Sequence, residues 1–137
     1  MKPNSLSKVA IGTLLFSIGL GAGFFAQTLT DSPQRVEHKR GDLAGAPDME
    51  VIVSTAEYKP GESIDLHLHH GAEAVYVIQG AKVQAPGKDA TQIPTGVSLL
   101  NQRDVKHAGF TIVGDASLKL FTVHVVDKGK PLYEYAR

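Results

Sequence analysis

The chain has 137 residues, 42% of them hydrophobic and 20% charged, which suffices for one small globular domain and not for two. It contains no cysteine, which excludes a disulfide framework, thiolate zinc sites, cysteine nucleophiles and cysteine-held iron–sulfur clusters. Lys+Arg and Asp+Glu are both 14, so the basic excess that marks a nucleic-acid surface is missing, and no nucleic-acid partner is expected.

The charge is unevenly placed. Residues 1–30 carry only Lys2 and Lys8, and the run from Val9 to Thr30 carries no charge. Its apolar part, Val9 to Ala26, is 18 residues, about 27 Å as a helix at ~1.5 Å per residue, close to the ~30 Å hydrocarbon core of a bilayer. The segment reads as one N-terminal hydrophobic helix, an uncleaved signal anchor or a cleaved signal peptide; a buried core helix is the third reading. Ala26 suits the last residue of a leader, but Phe24 then occupies a position that prefers a small side chain. Lys2 and Lys8 precede the segment, and positive charge stays cytoplasmic. The expectation is therefore an inner-membrane anchor through residues 9–26 with the domain facing the periplasm, or a periplasmic or secreted domain if the segment is cleaved.

Residues 31–41 read as a linker, leading into the domain at 42–137. Beyond that point short apolar runs alternate with turn residues. Glu50–Tyr58, Ser63–His69, Ala74–Ile78, Val97–Asn101, Gly109–Val113 and Leu118–Val126 read as strands, separated by turns such as Lys59-Pro60-Gly61-Glu62 and Pro86-Gly87. Fourteen glycines and seven prolines suit this turn-rich, all-β reading. Turn signals every ~8–12 residues are the pattern of an antiparallel sandwich or barrel.

The histidines carry the chemistry. In His67-Leu68-His69-His70-Gly71-Ala72-Glu73, strand periodicity places His67 and His69 on one face and turns His70 away. Glu73, after a turn at Gly71, opens the next strand and can fold back beside the pair. Two neutral imidazoles and a carboxylate on one face can hold a divalent metal; a polar surface patch is the plainer reading. Parity with Glu73 turns Val75 and Val77 inward as an apolar wall and Tyr76 outward. His124, within Thr-Val-His-Val-Val, reads as a satisfied core or face histidine.

Gly61, five residues, His67, one, His69, three, Glu73, six, Gly80 match the motif G(X)5HXH(X)3-4E(X)6G at every fixed position. Gly96, five residues, Gln102, one, Asp104, two, His107, three, Thr111 reproduce the spacing of G(X)5PXG(X)2H(X)3N but keep only its glycine and histidine. These are the two cupin motifs, and from about residue 42 to 133 the chain resembles a small single-domain cupin. The resemblance implies a jelly-roll β-barrel with His67, His69, Glu73 and His107 as ligands of one divalent ion (Fe, Mn, Ni, Co or Zn). It implies a small-molecule ligand or substrate, with dioxygenase-type activity on a chelating substrate or a non-catalytic binding and sensing role, and possible homodimerisation. His107 is expected across the barrel from His67 and His69. Asp104, which replaces the motif glycine, reads as a turn residue.

Overall fold

The computed structural model describes residues 31–136. The apolar segment read as an N-terminal helix lies outside the described residues, among which no helix is long and apolar enough to cross a membrane.

The described residues form eleven strands: β1 (Arg35–Leu43), β2 (Ala46–Tyr58), β3 (Ser63–Ile64), β4 (His67–Leu68), β5 (Gly71–Gln79), β6 (Ala81–Gln84), β7 (Thr91–Ile93), β8 (Ser98–Asn101), β9 (Phe110–Val113), β10 (Leu118–Asp127) and β11 (Glu134–Tyr135). They make a five-stranded sheet in the order β1-β2-β10-β5-β8, a four-stranded sheet β3-β9-β6-β7 and a two-stranded sheet β11-β4. Every pairing is antiparallel. The all-β expectation holds.

The two larger sheets share one core. Ala56 and Tyr58 from β2, Val77 from β5 and Leu118 from β10 meet Ile64, Ala81 and Ile112 from the smaller of the two. Each fully buried aliphatic side chain here contributes roughly 1.5–3 kcal/mol. The period-2 alternation of β5 does the sorting: Gly71, Glu73, Val75 and Val77 are buried, while Ala74, Tyr76 and Ile78 are exposed. One face of this strand thus carries a carboxylate at its start and an apolar wall further on. A second apolar cluster, Ile52, Val126, Leu132 and Tyr133, closes the end where the carboxylate lies.

Two sequence expectations need correction. Residues 31–41 are not a linker: from Arg35 onward they belong to β1, which pairs with β2 from Arg35↔Ala56 to Leu43↔Ala46. This strand lies at the sheet edge and is exposed over most of its length, so its charged sequence lacks the apolar alternation of a half-buried strand. Charge on an edge strand is also a common protection against edge-to-edge pairing. Ion pairs fasten it, Arg40 to Glu37 at 2.9 Å and Arg40 across to Glu50 at 2.5 Å. The second correction concerns Ser63–His69, which is two strands in different sheets, β3 pairing with β9 and β4 with β11.

The first motif's glycines have physical causes. Gly61 adopts φ +90° in the turn before β3, a left-handed backbone that disfavours a Cβ. Gly80 is required by contact: a Cβ there would lie 2.1 Å from the Ile93 carbonyl oxygen and 2.7 Å from the Thr95 nitrogen. Both obstacles are backbone and cannot swing aside. Gly80→Ala is therefore expected to destabilise the domain by about 2 kcal/mol or more, measured as a lowered urea midpoint. Gly41→Ala is the control, because nothing lies within 4 Å of its added Cβ; equal midpoints for the two variants would refute the steric account.

Candidate metal centre

Four elements bring the site together. His67 stands on β4, His69 follows it, Glu73 stands on β5, and His107 lies in the loop before β9. His107 is not across the barrel from His67. The two residues form an isolated antiparallel bridge, with His107 N donating to the His67 carbonyl at 2.8 Å and His67 N to the His107 carbonyl at 3.2 Å. Their rings consequently pack at 4.4 Å between centroids. The loop that presents His107 uses left-handed backbone at Asp104 (φ 59°) and Ala108 (φ 64°). The motif glycine replaced by Asp104 thus sits where a left-handed residue is needed, and aspartate tolerates that conformation better than most side chains.

Each of the three histidines is locked by its other ring nitrogen. Nδ1–H of His67 donates to the Asp65 carbonyl at 2.7 Å, that of His69 to Leu132 at 2.5 Å and that of His107 to Val105 at 2.9 Å. A neutral imidazole that donates from Nδ1 keeps a lone pair at Nε2. The three donor nitrogens lie within 4.8 Å of one another. Those of His69 and His107 are buried with no hydrogen-bond partner.

Glu73 faces these lone pairs. Its Oε2 lies 3.3 Å from His69 Nε2 and 3.4 Å from His107 Nε2. Two acceptors so close repel unless a cation, a proton or a metal, stands between them. Ligand bonds of about 2.0–2.2 Å place neighbouring donors on one ion about 3.0–3.5 Å apart, so these separations fit a shared divalent metal. Imidazole and carboxylate suit Fe, Mn, Ni, Co and Zn alike. The buried, partnerless Nε2 atoms, the fixed tautomers and the spacing together meet the requirements of the group.

Without a metal, protons settle the same conflict. Burial would raise the Glu73 pKa, but the imidazoles of His107, His124 and His69 outweigh it and hold the carboxyl well below the usual range. Burial works against charge on His107 too, yet the neighbouring Glu73 carboxylate prevails and raises its pKa. Burial lowers His124, and burial with the adjoining His107 and His69 rings lowers His67 to about 4.

The remaining histidines divide differently from expectation. His70 faces away as expected and bridges Asp104 (2.9 Å) and Glu134 (2.7 Å). His124 is buried in the core, but it is not satisfied: neither ring nitrogen has a hydrogen-bond partner, and its Nε2 lies 3.2 Å from Glu73 Oε1. Sequence reasoning also missed Asn101, whose Nδ2 donates to Glu73 Oε2 at 2.7 Å, and Tyr133, whose ring packs 4.7 Å from His67 and 4.9 Å from His69. Asn101 reaches Glu73 through the β5–β8 register, which nothing in the local sequence announces. Tyr133 arrives because β11 pairs with β4 and draws the C-terminal segment over the cluster.

His67, Glu73, Asn101 and His107 form the polar end of a cavity of about 120 Å³ whose other walls include Val75, Val77 and Phe110. Ligand pockets for drug-sized molecules run to ~300–1,000 Å³, so this one suits a small ligand with an apolar portion.

An antiparallel β-barrel with a histidine–carboxylate cluster at one end defines a class of metal-competent β-barrels. Within it, a family model described as a cupin domain matches residues 54–124, just over half of the chain, and the chain belongs to the cupin family. No curated protein matches it. Among solved structures, the polyketide cyclase RemF from Streptomyces resistomycificus is 15% identical with a TM-score of 0.50, covering 77% of this chain and 72% of that one. A conserved Klebsiella pneumoniae protein with a double-stranded β-helix domain is 22% identical with a TM-score of 0.46, covering 85% and 99%. A structure of the DMSP lyases RdDddP and RnDddQII is 19% identical with a TM-score of 0.48, covering 64% of this chain; the chain spans 44% of that relative's length. At these identities the likeness is one of fold.

The locked tautomers predict a spread of titrations in the metal-free protein. His107 should charge above the ordinary 6.5 and His67 only near pH 4. His67, lowered in the folded state, contributes stability that is complete above about pH 6.5 and is lost as pH falls towards 4. His107 has the opposite sign, its contribution present at low pH and lost as pH rises through its raised value. Imidazole resonances followed by NMR against pH check this; a common midpoint for both rings would contradict the geometry.

Proposed function

We propose that this cupin domain binds a single divalent metal through His67, His69, Glu73 and His107 and uses it to hold a small chelating molecule in the adjoining cavity. The observation that carries the reading is a set of three imidazoles with Nδ1–H tied to backbone carbonyls and their other donor nitrogens within 4.8 Å of one another, two of them, on His69 and His107, set against the buried Glu73 carboxylate. Four protein donors leave coordination positions open on an ion that accepts six, and a bound metal there supplies Lewis-acid or, for iron or manganese, dioxygen chemistry. The chain's own contribution is to fix the donors, to line the cavity with Val75, Val77 and Phe110, and to exclude bulk water from Glu73. Dioxygenase-type turnover of an enolate or diol is the enzymatic form of this proposal.

One observation favours the non-catalytic alternative, a binding or sensing module. Apart from the ligand candidates, the ionisable groups lining the cavity are Tyr58 and Tyr133. Burial raises Tyr58 to about 12 and Tyr133 well above its ordinary value, so both stay protonated and neither serves as a base near neutrality. Metal analysis of the purified full chain is expected to find about one divalent ion per chain. Alanine at His67, His69 or His107 should weaken metal affinity by at least ~100-fold, more than the loss of an outer-shell partner, while His70→Ala should change it little. Unaltered metal content in the His69→Ala protein would overturn the metal reading. Metal-dependent consumption of O₂ with diketones or catechols separates the enzyme from the module, which would bind without turnover.

The location follows from the uncharged run at Val9 to Thr30. We place the domain outside the cytoplasm, tethered by residues 9–26 or released by cleavage. The full chain should fractionate with membranes or be exported, and a chain lacking residues 1–30 should remain soluble and folded. A full chain found soluble and uncleaved in the cytoplasm would refute the placement.

A further inference from the structure

The order β10-β5-β8 sets three polar side chains in one row across the inner face of the five-stranded sheet. His124 on β10 is registered directly opposite Glu73 on β5, and Glu73 directly opposite Asn101 on β8. Directly opposed residues in antiparallel strands have Cβ atoms about 4.5–5.5 Å apart, close enough for their side chains to hold each other. Asn101 Nδ2 donates to Glu73 Oε2 at 2.7 Å, and His124 Nε2 lies 3.2 Å from Oε1.

His124 is completely buried and neither of its nitrogens has a hydrogen-bond partner. An imidazole buried that way loses its hydration without compensation unless the nearby carboxylate supplies it. The donor atoms fall into two compact groups that share His69: one of His67, His69 and His107, the other of His69, Glu73 and His124, and the second is the one that sets His124 against the carboxylate. Among the cavity-lining residues are His67, Glu73 and His107, and His124 is not one of them. Its ring packs against His69 at 4.6 Å, nearly perpendicular, behind the ligand face.

Resting on the metal reading above, we propose that His124 is a positioning residue for Glu73: with Asn101 it clamps the carboxylate from both sides along the strand row. The clamp leaves Oε2 facing the Nε2 atoms of His69 and His107, with which it would hold a metal, and keeps Oε1 turned to His124. His124 acts through Glu73 and does not itself bind the metal.

Co²⁺ binding, followed by its visible absorption and by calorimetry, tests this in a double-mutant cycle on the full chain. His124→Phe keeps the ring's volume and removes both nitrogens. In the native background it should weaken Co²⁺ by roughly 10–100-fold, the usual range for loss of an outer-shell partner. In a Glu73→Ala background the same substitution should change Co²⁺ affinity by less than about threefold, because there is no carboxylate left to hold. His124→Gln, which keeps a side-chain N–H, should recover part of the loss. Should His124→Phe fail to fold, the cycle is run with His124→Gln and with Asn101→Leu, and the same disappearance of the effect without Glu73 is expected. Equal losses in both backgrounds would make His124 a direct ligand or a packing residue and overturn the clamp. No loss in the native background would also overturn it. If the native protein takes up no Co²⁺, the metal reading falls and the clamp with it, whereas native binding with additive variants removes the clamp alone.

Discussion

The structure is organised around one costly group, the carboxylate of Glu73. It is 6% exposed, and removing a carboxylate from water costs several kcal/mol unless partners compensate. One partner, His69, is four residues away and the others come from distant parts of the chain: His69, Asn101, His107 and His124 all stand within 3.4 Å of its oxygens. The compensation is complete only when a cation lies between the carboxylate and the imidazole lone pairs. A proton and a metal ion would compete for the same place, so uptake of a metal there would be coupled to proton release.

Holding lone pairs against a carboxylate requires that the rings cannot rotate away. Backbone carbonyls at Asp65, Leu132 and Val105 perform that task by accepting Nδ1–H. Two of these carbonyls are local, two residues from their histidines. The third, Leu132, belongs to the C-terminal segment, which β11 draws across β4. The segment also brings Tyr133 against the rings of His67 and His69 and Glu134 to His70. The far end of the chain is thus part of the site's scaffold although it contributes none of the proposed ligands.

The cavity beside the cluster has two chemical ends. Charge and lone pairs sit with His67, Glu73 and His107, and aliphatic and aromatic carbon lines the rest. The fold alone does not specify a reaction, since one barrel supports many chemistries through its lining. Among the described residues of this lining, the ionisable groups outside the proposed ligands are Tyr58 and Tyr133, both of which burial keeps protonated near neutrality.

The sequence by itself determined the strand character of the domain, the inward face of β5 and the composition of the first cluster, because these depend on spacing along one chain. A period of two places His67, His69 and Glu73, and then Val75 and Val77, with no knowledge of what they face. The glycine positions of the first motif were legible for the same reason. Only the tertiary structure decided that the charged residues from Arg35 form a strand, since an edge strand buries too little to impose an apolar alternation. It also decided that His107 pairs beside His67, that His124 stands opposite Glu73 and that Asn101 holds Glu73. Each of these depends on which strands become neighbours and in what register. That choice is made by the burial of the whole core and the closure of long loops, and it leaves no mark within any single stretch of sequence.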